Sequence, residues 1–475
     1  MASPRFYNSL GRELQSFAPQ DADTARIYTC GPTVYDTAHI GNLRTFLFED
    51  VLCRALEFLG YDVTQVMNLT DVEDKIIAGA VEREISIDDY VSPHIDVFFR
   101  DLERLHIRKA EHYPRATQHI PEMISMIQTL EERGFAYSVE GSVFFHIDRF
   151  GPYGRLSGVD LGGAKRGERV ADDEYEKDDV KDFVLWKAAK EGEPSWDSPW
   201  GAGRPGWHIE CSAMSMKYLG ESFDIHCGGV DNMFPHHENE IAQSEAATDV
   251  EFARYWLHSE HLLVDGRKMS KSLGNQYTLD HLIARDIDLR AVRYLFLSVP
   301  YRRKLNFTFS SVEGSASALR RVDQLRFRLE TTAESDDSNS GIATACESLY
   351  TSFREALADD LNLSAALATV HIFVRDANVA VGQRRLNTGD RQRIIEALAS
   401  VDRVLGVLDA GDWPTSQEGT DDSESSDDDI QTLVDARQGA RIARDWAEAD
   451  RLRDELVGAG IVVEDTPDGV RWKRE

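Results

Sequence analysis

Residues Ile27 to Leu69 most constrain the fold. Ile27-Tyr28-Thr29-Cys30-Gly31-Pro32-Thr33 reads as a short strand running into a Gly-Pro loop. From about Gly41, Leu43, Phe46, Leu47, Val51, Leu52, Leu56, Phe58 and Leu59 recur with helical period until Gly60 stops them. A second strand is expected from Tyr61 to Leu69. Strand, loop, helix, glycine, strand is the opening of a nucleotide-binding parallel sheet, with ligands beyond the strand C-termini. At the loop-to-helix step sits His39-Ile40-Gly41-Asn42, and far downstream comes Lys268-Met269-Ser270-Lys271-Ser272. Together they offer a glycine-permitted backbone approach, a donor at neutral pH, and two lysines on a small-residue loop. Those parts suit a nucleoside triphosphate and charge building on its phosphates.

A chain of 475 residues exceeds one compact core, so two to four domains are expected. Hydrophobic residues make up 42%, enough for globular cores. No run of apolar residues is long enough to span a membrane, and no charged-then-apolar leader opens the chain, so a soluble, cytoplasmic protein is expected. Asp plus Glu number 83 against 53 Lys plus Arg, a net charge of −30. Taken alone, that argues against a polyanionic partner. Yet only 12 of the 53 basic residues are lysine, and acidic runs such as Asp427-Asp428-Asp429 fall in polar segments. Such a surface suits a halophilic cytoplasm, where screening lengths shrink to roughly 3 Å. The acidity then describes the solvent and not the partner. Five dispersed cysteines (Cys30, Cys53, Cys211, Cys227, Cys346) fit a reducing compartment better than a disulfide framework.

Residues 1–94 and 206–289 read as two halves of one catalytic domain, the second carrying the lysine loop. Residues 95–205 read as an insertion, with a helix over Pro121 to Arg133 and a hairpin over Tyr137 to Ile147. Its stretch Gly162 to Gly167 lacks the strand-to-helix context of a phosphate cradle and is taken as a loop. Sheet character is expected again at Trp207 to Cys211 and Phe223 to Cys227, and a tight turn at Asp265-Gly266. Residues 290–412 have amphipathic helical period, residues 413–429 form an acidic linker without a core, and 430–475 a small tail module.

In Pro235-His236-His237-Glu238-Asn239-Glu240, His236 and Glu240 stand i, i+4 and share a helix face. Cys30 and Cys211 fall at or near expected strand ends. Two thiolates, an imidazole and a carboxylate make a candidate zinc set by softness. The alternative is two buried cysteines and an ordinary first helical turn.

The segments Thr29 to Tyr35, Gly206-Trp207-His208-Ile209-Glu210-Cys211-Ser212-Ala213-Met214 and Phe234 to Glu240 resemble cysteinyl-tRNA synthetases. So do the tail stretches Ala449 to Asp454 and Glu464 to Pro467, and the resemblance covers nearly the whole chain. It implies an α/β fold: a class I synthetase Rossmann-like parallel-sheet catalytic domain with insertion, then an α-helical bundle and a small anticodon-binding module. It implies Cys30, Cys211, His236 and Glu240 as ligands of one Zn2+, and ATP with Mg2+, L-cysteine and tRNA(Cys) as substrates of a monomer. Trp207, Thr70 and Asp231 would then face the amino acid. His39 and Asn42 would meet the ATP phosphates and Gly41 would leave room for the nucleotide, while Lys271 would sit against the α- and β-phosphates, Lys268 would help position its loop, and Ser270 and Ser272 would bind the nucleotide beside them. Asn42 stands where the class more often has a second histidine, so a charge-bearing role there is not implied. Cys227 could approach the metal or pack as a small apolar residue. Trp472, with Arg471 and Lys473, could stack on RNA or be buried. Two rivals are a ligase joining cysteine to an amino sugar, and a non-catalytic RNA-binding relative with structural zinc.

Overall fold

The computed structural model describes residues 3–159, 169–170, 181–270, 273–332, 338–414, 427–443, 445–458, 461–466 and 469–474. The chain divides into one unit of Met1–Ala410 and another of Gly411–Glu475.

At the centre of the first unit lies a four-stranded sheet of β1 (Thr24–Thr29), β2 (Asp62–Met67), β3 (Phe223–Gly229) and β4 (Ala253–Ser259). The order is β4-β3-β1-β2, and every pairing is parallel. Successive strands lie to opposite sides of β1, so a crevice opens at the C-terminal ends of β1 and β3, where Thr29 pairs with Cys227. Helix α1 (Ile40–Leu59) follows β1 and ends on Gly60, whose φ of 105° is open to glycine at little cost.

Helices α2 (Trp207–Leu219) and α3 (His236–Thr248) flank β3 in sequence. The expectation of a strand at Trp207 to Cys211 is corrected: the segment is the first turn and a half of α2, with Gly206 as its N-cap. Nearly every residue from His208 to Ser215 is buried, so no amphipathic stripe marks the helix. The alternating polar side chains of His208 and Glu210 imitate a strand instead.

A smaller sheet packs beside the first, with β5 (Leu262–Val264) between β6 (Arg267–Lys268) and β7 (Leu305–Phe307). Asp265 and Gly266, at φ 48° and 74°, make the β5–β6 turn. Two positive φ values in a two-residue hairpin connection fit the twist of the strands it joins.

Before α2 come the helices Ile87–Arg104 and Ile120–Glu132, the hairpin Ala136–Val139 and Ser142–Phe145, and the strand Asp182–Ala188. The first of these helices runs unbroken across residue 94. The Gly162 to Gly167 stretch lies outside the described residues. Five helices (Leu289–Ser298, Phe309–Thr331, Ser340–Ala358, Leu363–Gly382, Thr388–Leu405) complete this unit.

In the second unit, helices Asp427–Ile442 and Trp446–Gly458 precede the antiparallel pair Ile461–Thr466 and Gly469–Arg474. Ile430, Val434, Leu456 and Ile461 form its core. Trp472 packs on that core and donates its indole N–H to Gln431 at 2.7 Å, so the ring serves the unit's own packing. The acidic residues 415–426 lie outside the described residues.

Glu49 on α1 is fully buried, and neither carboxylate oxygen has a hydrogen-bond partner among the described residues. Burial pushes its pKa well above the carboxylate range, so the folded chain keeps this proton at neutral pH. The unfolded chain releases it. Above the ordinary carboxyl pKa the unfolded state therefore binds fewer protons, and stability falls as pH rises. Glu49→Met is expected to stabilise by about 1–3 kcal/mol at pH 8, with the gain shrinking toward pH 4. Thermal melts of both proteins across that range check this; an unchanged or lower midpoint at pH 8 contradicts it.

Candidate active site

His39 is the N-cap of α1. Its Nδ1 accepts from the backbone N–H of Gly41 at 3.1 Å and of Asn42 at 3.2 Å, while Asn42 Oδ1 accepts from His39 N–H at 3.2 Å. An imidazole that accepts at Nδ1 carries its proton on Nε2 when neutral. Burial lowers the His39 pKa, opposed by its own backbone hydrogen bond and by the carboxylates of Asp231 and Asp36. The ring is thus a neutral donor presented at a helix N-terminus, where backbone dipoles favour an anion. Capping occupies Asn42 Oδ1 on a side chain that is otherwise exposed.

The two separated motifs meet here. A Cβ built on Gly41 would lie 2.5 Å from Met269 Cε and 2.9 Å from His39 Cε1, so the bare glycine lets both side chains rest against the start of α1. Ile40 N–H also donates to Tyr277 O at 2.9 Å. Asn275, not anticipated from the sequence, fastens that segment: its Oδ1 accepts from Ser270 N–H at 2.9 Å and its amide donates to Lys268 O at 3.2 Å. Lys268 is exposed and Ser270 half-buried. Lys271 and Ser272 lie outside the described residues.

On the other side of the crevice, Cys30 follows β1 directly, its N–H donating to Cys227 O at 3.1 Å. Cys211 lies in α2, and His236 and Glu240 one turn apart in α3. The donor atoms of all four lie within 4.8 Å of one another, and all four residues are buried. His236 Nε2 is 3.1 Å and Cys30 Sγ 4.0 Å from Glu240 Oε1. A tetrahedral ion bonded at ~2.0–2.3 Å holds its donors roughly 3.5 Å apart, so this set closes around one with small shifts. Burial pushes the Cys30 thiol up, reinforced by the neighbouring Cys211 and Glu240. It lifts Glu240 to about 8 and holds His236 down to about 3. Acidic groups crowded where water cannot solvate their anions match what a bound cation neutralises.

A second group shares two of these donors: Cys30, His226, His237 and Glu240. His226 Nε2 is 2.9 Å from Glu240 Oε2, and His237 Nε2 is 3.2 Å from Cys30 Sγ. The chain of imidazoles extends through His237 Nδ1 to His258 Nε2 at 2.9 Å, and from His236 to His208 at 3.0 Å between their Nδ1 atoms. Burial lowers His226 and His258 to about 3, so both rings are neutral. The sequence reading passed over His208, His226 and His258. The available signal was a charged and an imidazole side chain, Asp224 and His226, inside an otherwise apolar strand.

The Trp207 ring stacks on His236 with centroids 4.2 Å apart and a 27° tilt. The indole is half-buried. Thr70 bridges to Thr33, donates its N–H to Pro32 O at 3.1 Å and accepts from the Asn68 amide at 3.1 Å, in the loop that follows β2. Asp231 is exposed on the turn after β3, within electrostatic reach of His39. Cys227 belongs to neither group. It alternates with His226 on β3 and so faces the α1 side, where Glu49 and Cys53 are its titratable neighbours.

Residues 16–317 match the family described as tRNA synthetases class I (C) catalytic domain. Residues 352–409 match a DALR domain, and 424–472 the cysteinyl-tRNA ligase anticodon binding domain. A cysteine–tRNA ligase of Solibacter usitatus is 46% identical over 471 residues, covering 99% of each chain. One from Chlamydia muridarum is 47% identical over 481 residues, covering 98% of this chain and 99% of its own. The chain belongs to the cysteine–tRNA ligase family. Two solved synthetases share its fold at lower identity. Methionyl-tRNA synthetase of Mycobacterium tuberculosis, with methionyl-adenylate, has a TM-score of 0.58 at 16% identity, covering 81% of this chain and 90% of its own. A leucyl enzyme of Agrobacterium radiobacter in a ternary complex scores 0.57 at 13% identity, covering 85% and 88%. The expected class I architecture is therefore present, parallel-sheet catalytic domain first and anticodon-binding domain last.

Proposed function

We propose that this chain, an ATP-dependent cysteine–tRNA ligase, selects cysteine through a zinc site. The observation that carries this is the buried Cys30, Cys211, His236 and Glu240 cluster, across one crevice from the joined His39 and Lys268 motifs. Zinc held by those four residues would take up the substrate thiolate as one donor beyond them, in preference to a hydroxyl. Pocket shape alone separates such close analogues poorly. His226 and His237, hydrogen-bonded to Glu240 and Cys30, orient two of the donors.

Trp207 closes one wall of the amino-acid pocket, and Thr70 and Asp231 meet the substrate's polar groups. In the first step the cysteine carboxylate attacks the α-phosphorus of ATP and pyrophosphate leaves with Mg2+. His39 Nε2–H, the Asn42 amide and the N-terminus of α1 face the phosphates, and Gly41 leaves them room. Lys268 and Lys271 balance charge on the departing pyrophosphate, on a loop shaped by Ser270 and Ser272. In the second step a hydroxyl at the 3′ end of tRNA(Cys) attacks the activated carbonyl and AMP leaves. The helical region and the C-terminal unit, joined by the acidic linker, hold the tRNA. The protein acts as a monomer in a halophilic cytoplasm, its net charge of −30 keeping it solvated there.

Cysteine-dependent exchange of pyrophosphate into ATP, followed by charging of tRNA(Cys), tests this reading. Both are expected. Exchange without charging would support a cysteine–amino-sugar ligase, and no exchange a non-catalytic relative.

A further inference from the structure

Arg44, one turn into α1, is buried and donates to no carboxylate among the described residues. Its Nη1 donates to Glu260 O at 2.5 Å and His261 O at 3.2 Å, and its Nη2 to Pro300 O at 3.3 Å and Arg303 O at 2.7 Å. Glu260 and His261 lead directly into β5, and Pro300 to Arg303 into β7. One guanidinium thus grips both strands of the sheet whose third member, β6, bears Lys268. Two neighbours on α1 hold the same seam: Thr45 Oγ1 lies 2.7 Å from Ser259 Oγ, and Phe48 stacks on Tyr301 with centroids 4.4 Å apart. The cost is real, since burial draws the Arg44 pKa down to about 10 despite the nearby Glu260 carboxylate. A carboxylate partner would satisfy an arginine more simply. Main-chain acceptors from two segments instead fix where those segments lie relative to α1.

We propose that Arg44 is a positioning residue for adenylate formation, holding Lys268 and Met269 in register with His39 and Gly41. The inference rests on the ligase reading above. The second step is insulated from it, because by then pyrophosphate has gone and the lysine loop has little charge left to balance. Lysine at this position keeps the charge, but its single ammonium cannot span four carbonyls.

Arg44→Lys is expected to lower kcat for cysteine-dependent pyrophosphate exchange on the order of 10²-fold, the scale of a misplacement near 1 Å. KM for cysteine, zinc content and transfer from preformed cysteinyl-adenylate to tRNA should stay within about threefold of the parent on this account. Arg293→Lys is the comparator. Arg293 is equally buried but grips Leu405 O, Leu105 O, His106 O and, at 3.4 Å, the Asp50 carboxylate, none of them in the lysine sheet. It should lower the melting temperature without separating the two steps. Should Arg44→Lys fail to fold, Phe48→Leu loosens the same seam and should show the same separation at a smaller size, about 3- to 10-fold. The proposal is overturned if exchange is unaffected, if both steps fall together, or if Arg293→Lys separates them as well. Absence of exchange in the parent protein would instead sink the ligase reading.

Discussion

Cys211→Ala is expected to purify with little bound zinc and with cysteine-dependent pyrophosphate exchange lowered by at least about 10²–10³-fold, beyond the 10–100-fold typical of losing a supporting partner. Cys211 is one of four buried donors drawn from three separate elements. Removing it leaves Cys30, His236 and Glu240 around a site one ligand short, in surroundings that penalise an uncompensated charge. The remaining activity should also lose its preference, since serine and cysteine then differ only by size and a weak hydrogen bond. His236→Ala should behave alike, with an added loss of the ring on which Trp207 stacks. Metal analysis and exchange with each amino acid check both variants. Full zinc content and intact serine rejection in Cys211→Ala would remove this residue from the site.

Lys271→Ala should lower kcat for the same exchange by about 10²–10³-fold, the range seen when one preorganised charge-stabilising group is lost. KM for cysteine and zinc content should hardly move if the lysine acts, as proposed, on charge that develops as pyrophosphate departs. Transfer from preformed adenylate should also survive. The measurement is steady-state exchange at saturating cysteine beside single-turnover transfer. An unchanged kcat would mean that Lys268 alone, or the α1 N-terminus, carries the phosphate charge.

Different parts of this molecule were legible to different degrees, for physical reasons. Helix α1 was visible because its leucines, phenylalanines and Val51 recur with helical period over twenty residues until Gly60 ends them, even though the helix is buried without a break from Phe46 to Cys53. Helix α2 was misread because it is buried all round and its polar residues, His208 and Glu210, face inward with the rest. Cys30, His236 and Glu240 could be grouped from the i, i+4 spacing and the strand end. The surrounding histidines could not, since they come from α2, β3, α3 and β4 and meet only through the fold. Asn275 carries no signal in isolation. A polar residue after a loop is ordinary until its two hydrogen bonds are seen pinning Lys268 and Ser270. Gly41 shows the reverse: the sequence suggested room for a nucleotide, and the fold adds that Met269 packs against the same bare backbone.

X-ray absorption at the zinc edge, recorded on the purified protein with and without L-cysteine, reaches the central claim most directly. A sulfur-containing shell that gains one further sulfur on adding cysteine, and gains nothing on adding serine, is the predicted result. A shell indifferent to cysteine, in an enzyme that still rejects serine, would show that the metal does not choose the amino acid.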